Sequence, residues 1–294
     1  MKKTIYLIAL ILGLYFSLAA NAQQSETISL RVPEFARPLV EKWTHDYRQH
    51  HANVNFEFIK GKTQDASANI LEITTDDEAV SFARYAVLPV TIKDSEAAHL
   101  TSHRLNAKKL RSLFFVNDDD EEEQSKAEQK IHVYTGNSQL SASRIYASFL
   151  NQEVSDYKGK KISGDDAFLT TAISRDPLGV TVNYLPNIFD LESRLPGSSL
   201  ALLPLDLDKH GRQVLDDANL DEIITLLEEQ KYDVIPVGTV GFMYDHSDST
   251  VNDFVNWVLT AGVCDLHQYG MLTLSQKELT AQMQRIASKD LAQK

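Results

Sequence analysis

The segment Thr135-Gly136-Asn137-Ser138-Gln139-Leu140-Ser141-Ala142-Ser143-Arg144 carries residue types suited to holding a small anion. A helix N-terminus exposes unpaired backbone N–H groups and about half a positive charge, so small hydroxyl residues leading into a helix make an anion site. Thr135 to Ser138 supply a flexible turn, Ser141 falls at the N-cap position, and Ser143 and Arg144 fall in the first helical turn. The donors are then Ser138, the backbone N–H groups of Ser141, Ala142 and Ser143, and Arg144, whose guanidinium matches two oxygens of one carboxylate or phosphate. An ordinary capped helix with a solvated arginine gives the same pattern, and residue type alone does not choose between them.

Other combinations carry less. Asp165-Asp166 and Asp216-Asp217 are adjacent pairs, whose side chains diverge in any regular element and make no catalytic carboxylate couple. His99 and His103 are four apart, the spacing of a metal-binding pair on a helix, but no third ligand follows at a recognisable spacing. The run Asp118 to Glu123 lacks the glycine turn usual in calcium loops and reads as a solvated loop. Without a G-x-S-x-G or Walker pattern, the chain reads as a non-enzyme with no cofactor.

The elements that must position these residues alternate. Thr27 to Val32 reads as a strand, Leu39, Val40, Trp43 and Tyr47 mark one face of a helix, and Val54 to Ile59 alternates as a second strand. Strand, helix, strand implies a right-handed parallel crossover. A short strand at 69–74, a helix from Asp76 to Phe82 and the apolar run Tyr85 to Val90 follow. That run has a near copy in Val234-Ile235-Pro236-Val237, each with a proline inside an apolar extended stretch, which predicts two paired hinge crossings near Leu88-Pro89 and Ile235-Pro236. Between them lie expected helices at 106–115, 141–151, 164–175 and 220–230, and strands at 130–134, 179–183 and 200–204. Beyond them come a strand at 240–244 and helices at 250–261 and 275–287. The expectation is an α/β protein with a first lobe from 23–88 and 236–294 and an inserted second lobe, 89–235.

Residues 1–22 read as a signal peptide: Lys2 and Lys3, an apolar stretch from Ile5 to Leu18, and Ala20-Asn21-Ala22 at the cleavage point. Without them the chain holds 27 basic and 41 acidic residues, a net charge of −14 that argues against nucleic acid as a partner. Cys264 stands alone, which excludes an intramolecular disulfide, and its apolar neighbours predict a buried thiol.

Taken in order along the chain, Arg84 to Thr91, Ile131 to Arg144, Gly179 to Tyr184, Leu202 to Asp206, Phe254 to Leu259 and Gln268 to Leu272 resemble the phosphate-binding branch of the ABC-transporter substrate-binding proteins. The resemblance implies a two-lobed type II periplasmic-binding-protein fold. It further implies a periplasmic monomer that takes phosphate or a related oxyanion and delivers it to an inner-membrane ABC permease. Two stretches depart from the pattern. The turn after the first strand is Val32-Pro33-Glu34-Phe35-Ala36 in place of a Gly/Ser/Thr-rich one, so a proline removes a donor and Glu34 brings negative charge to the site. Gln139 and Leu140 replace small residues in the second loop. These departures keep a second expectation open, a ligand-free scaffold or sensor subunit of an envelope complex.

Overall fold

The computed structural model describes residues 25–60, 69–116 and 130–292. The expected signal peptide, residues 1–22, and the acidic run 118–123 lie outside them. Strand β1 (Glu26–Arg31), the 3-10 turn Glu34–Ala36, helix α1 (Arg37–His50) and strand β2 (Val54–Phe58) form the expected crossover, with β1 and β2 parallel from Glu26↔Val54 to Leu30↔Phe58. Helix α1 buries Leu39, Val40, Trp43, Thr44 and Tyr47, the 3–4 spacing that turns one face inward. Trp43 packs edge-on to Phe82, ring centroids 5.1 Å apart, and its indole N–H donates to the Gly262 carbonyl at 2.8 Å.

Strand β3 (Ile70–Thr74) adds parallel to β1, and strand β4 (Val80–Ile92) follows. The helix expected at 76–82 is absent: residues 76–79 form a turn and β4 begins at Val80. Both faces of β4 are buried through most of its length, so the period-2 alternation that would mark a strand is missing from the sequence.

The chain continues through α2 (Glu96–Leu100), α3 (Ala107–Phe114), β5 (His132–Gly136), α4 (Ala142–Phe149), β6 (Lys160–Ile162), α5 (Ala167–Ile173), β7 (Gly179–Tyr184), α6 (Leu185–Ile188), β8 (Leu200–Leu202), α7 (Lys209–Asp217) and α8 (Leu220–Glu229). It closes with β9 (Val237–Tyr244), α9 (Ser249–Thr260) and α10 (Gln276–Ala292). The strand order is β2-β1-β3-β9-β4-β7-β5-β6, with β8 also on β4.

Strand β4 belongs to both halves of this path. Val80 to Ala86 pair with β9, whereas Val87 to Thr91 pair with β7. The partner changes at Val87, whose N–H donates to the Pro236 carbonyl at 3.1 Å, so the two proline-bearing segments meet side by side. Helix α10 lies against β4, and Gln282 accepts from the Ser81 N–H.

The expectation of a buried thiol changes. Cys264 is exposed, because the 3-10 turn Gly262–Asp265 after α9 aims it outward while Gly262 packs on Trp43. His99 lies in the last turn of α2 and His103 lies past its end, so no helix face joins them. No helix among the described residues is long and apolar enough to cross a membrane.

Candidate functional site

A cleft of about 400 Å³ opens where the two halves of the strand path face each other. From the β1 side it is lined by Arg31, Pro33, Glu34 and Phe35, with Glu72 and Thr74 of β3. The other wall is the turn Ser138-Gln139-Leu140, Asp165 and Asp166 before α5, Tyr184 at the end of β7, and Asn187. Pro33 is extended and its carbonyl accepts from the Ala36 N–H at 3.0 Å, closing the short turn that leaves Glu34 exposed on the rim.

The six residues singled out in the sequence fall into three groups. Glu34 and Ser138 line the cleft. Ser141, Ala142 and Ser143 lie buried at the start of α4, where both serine hydroxyls and the Ala142 N–H are already engaged. Ser141 Oγ caps the helix by accepting from the Arg144 N–H at 3.2 Å, and Ser143 Oγ accepts from the Gly136 N–H at 3.0 Å. Arg144 is exposed and lies outside the cleft lining.

The residue that occupies the α4 N-terminus is Asp166. Its carboxylate Oδ2 accepts from the Ala142 N–H at 2.5 Å. Asp166 precedes α5, yet its side chain does not cap that helix; it reaches 24 residues back to cap α4. Only 7% of Asp166 is exposed, and Oδ1 has no hydrogen-bond partner. Burial pushes its carboxyl up to about 6, partly opposed by the Ala142 N–H and reinforced by the neighbouring charge of Asp165. The backbone around it is pinned: Asn183 Nδ2 donates to the Asp166 carbonyl at 2.8 Å, and the Tyr184 hydroxyl donates to the Leu140 carbonyl at 2.8 Å. The Tyr157 hydroxyl donates to the Ser143 carbonyl at 2.8 Å, and burial lifts both tyrosines well above the usual phenol range.

The cleft carries four carboxylates, Glu34, Glu72, Asp165 and Asp166, against one cation, Arg31. Arg31 is itself held by Glu72 at 2.7 Å. A smaller recess of about 200 Å³ continues past Arg31 and Asp165 to Arg37 and Lys60. Across the back of the cleft, Phe35 stacks on Tyr184 with ring centroids 3.9 Å apart, and Tyr85 meets Tyr184 edge-on at 5.5 Å. Among the described residues no group of three or more His, Cys, Asp or Glu side chains is placed to hold a metal ion.

Sequence reasoning missed Asp166, Tyr184, Phe35 and the Arg31–Glu72 pair. The Asp165-Asp166 dipeptide was visible as a doublet with diverging side chains. Nothing local links Asp166 to Ala142, because the contact is made only when the α5 start folds onto the α4 start.

Strand order, mixed sheet and cleft define the class: the chain has the fold of the type II periplasmic substrate-binding proteins. Solved structures similar to it include a putative phosphate ABC transporter substrate-binding protein with bound phosphate from Clostridium perfringens, 11% identical with a TM-score of 0.55, covering 85% of this chain and 100% of that one. A possible phosphate binding protein from Planctomyces limnophilus is 10% identical with a TM-score of 0.53, over 90% of this chain and 98% of that one. An ABC-type phosphate transport receptor from Vibrio cholerae is 11% identical with a TM-score of 0.54, over 85% and 100% of the two chains. At such identities the likeness is one of fold. No protein-family model matches the sequence, and no curated protein matches it.

Proposed function

We propose that the chain is an exported solute-binding module that hands a small ligand to an ABC-type permease, with the cleft as its ligand site. The lobes are 23–88 with 236–294, and 89–235, and the paired crossings at Val87 and Pro236 are the hinge about which they close. Residues 1–22 are removed on export to the periplasm.

The observation that carries the reading is the composition of the cleft wall. In the main cleft four carboxylates face a single arginine already bound to Glu72, so a dianion such as phosphate meets repulsion there and no open cation among the lining residues. The ligand class that fits is a small amine or an amino-acid-like zwitterion. Its ammonium group meets Glu34 and Asp165, and the recess toward Arg37 and Lys60 can receive its acid end. Phosphate, the ligand implied by the family resemblance, stands second.

A thermal-shift screen of the mature protein at pH 7.5 against amines, amino acids, sugars and oxyanions tests this, since a ligand that binds only the folded state raises its melting temperature. Stabilisation by an amine or a zwitterion supports the reading. Stabilisation by phosphate alone returns the oxyanion to first place.

A second reading has its own observation. Phe35 and Tyr184 join the two walls of the cleft through a stacked, buried pair, a contact that ties the walls together without a ligand's help. A screen in which no solute stabilises the protein favours that reading, a scaffold or sensor subunit of an envelope complex.

A further inference from the structure

We infer that Asp166 is an internal stand-in for an oxyanion: its carboxylate fills the anion position at the α4 N-terminus and sets the specificity of the fold against free oxyanions. Three observations carry the inference. The Asp166 carboxylate takes the Ala142 N–H, a first-turn donor that a bound anion would otherwise use. Its side chain belongs to a different helix, so it is not a local cap of the kind that nearly every helix carries. It is more than nine-tenths buried with Oδ1 unpartnered, an arrangement that spends a desolvated carboxylate on this one place.

The space around it is fitted to a carboxylate. A Cβ on Gly136 would stand 2.4 Å from Asp166 Oδ1 and 3.1 Å from Ser141 Cβ, so the glycine leaves the room that the second oxygen takes. The charged and titratable groups facing Asp166 are Asp165, Tyr157 and Tyr184, none of them a cation. The helix N-terminus therefore supplies the positive potential for this carboxylate. With the cradle filled from within, an incoming phosphate meets a carboxylate where its own oxygens would bind.

The inference does not depend on which solute the wild-type cleft takes, because it concerns what happens when Asp166 is removed. The experiment compares wild type, D166N and D166A at pH 8 with sodium formate, sulfate and phosphate, matched in ionic strength with sodium chloride. Melting temperature and the ¹⁵N–¹H signal of Ala142 are followed. Formate, the carboxylate that the substitution deletes, and at least one of the two larger anions are expected to stabilise D166A saturably and to shift the Ala142 signal. Wild type is expected to need at least about tenfold more anion for the same rise. D166N, which keeps the position filled, should resemble wild type. Two results overturn the inference: wild type binding phosphate as tightly as D166A, or a D166A protein that none of the three anions stabilises, whether or not it folds without them.

Discussion

Phe35 and Tyr184 lie face to face, centroids 3.9 Å apart and planes inclined by 16°, one ring from the turn after β1 and the other from the end of β7. They are 149 residues apart in sequence, and both are buried. Each ring closes one wall of the cleft, so the pair couples the two halves directly. Phe35→Ala removes a buried aromatic from this contact and is expected to cost about 3–5 kcal/mol in urea denaturation. Small-angle scattering of the same variant is expected to show a larger radius of gyration if the stack holds the halves together. An unchanged radius with the full stability loss would make Phe35 a core residue of its own half only.

Asp166 gives a pH signature with a definite sign. Its folded carboxyl sits near 6, above the unfolded value of 3.8, so the folded state holds the proton more tightly. Its contribution to stability is therefore greatest below about pH 4, falls as pH rises to about 6, and is flat beyond that. A shift of this size is worth on the order of 2–3 kcal/mol. Asp176, Glu228 and Glu278 are lowered, and their effects run the opposite way at low pH. The measurement is accordingly a difference: wild-type stability minus that of D166N should decline by about 2 kcal/mol between pH 4 and pH 7. A flat difference would show that Asp166 titrates normally.

Ser143 and Arg144 are neighbours with opposite expectations. Ser143→Ala leaves the buried Gly136 N–H without its acceptor, a loss of about 1–3 kcal/mol in chemical denaturation. Arg144→Ala alters an exposed side chain outside the cleft and should change stability by no more than about 0.5 kcal/mol. Ligand affinity in titration calorimetry should be unchanged by Arg144→Ala, and a loss of tenfold or more would bring Arg144 back into the site.

Export has a direct measurement. Mass spectrometry of the protein from its native envelope is expected to find Gln23 at the N-terminus, open or cyclised. Recovery of the Met1 form from membranes would show that residues 1–22 stay attached as an anchor.

The elements written in a single local signal were legible in the sequence. The apolar face of α1, the alternation of β1 and β2 and the Ser141 cap each depend on neighbours a few residues apart, and each stands where the pattern puts it. What stayed hidden depends on distant partners. Residues 80–82 read as the end of a helix because β4 is covered on both faces and shows no alternation. The prolines at 89 and 236 suggested two crossings, but not that one strand runs unbroken past the first of them. In the site, the loop and its hydroxyls were readable, whereas the carboxylate that fills them comes from a residue 24 positions on. An anion cradle that is empty and one that is occupied by its own chain share the same local sequence.

The 2.4 Å separation between a would-be Cβ at position 136 and the Asp166 oxygen also constrains substitution. While the carboxylate is present, a side chain at 136 presses on Asp166 Oδ1, so the carboxylate must shift before a serine or threonine fits. Loss of Asp166 removes the tighter of the two contacts at 136 and leaves the 3.1 Å approach to Ser141 Cβ. Substitutions at 136 and 166 are therefore coupled: a side chain at 136 costs less once the acid at 166 is gone.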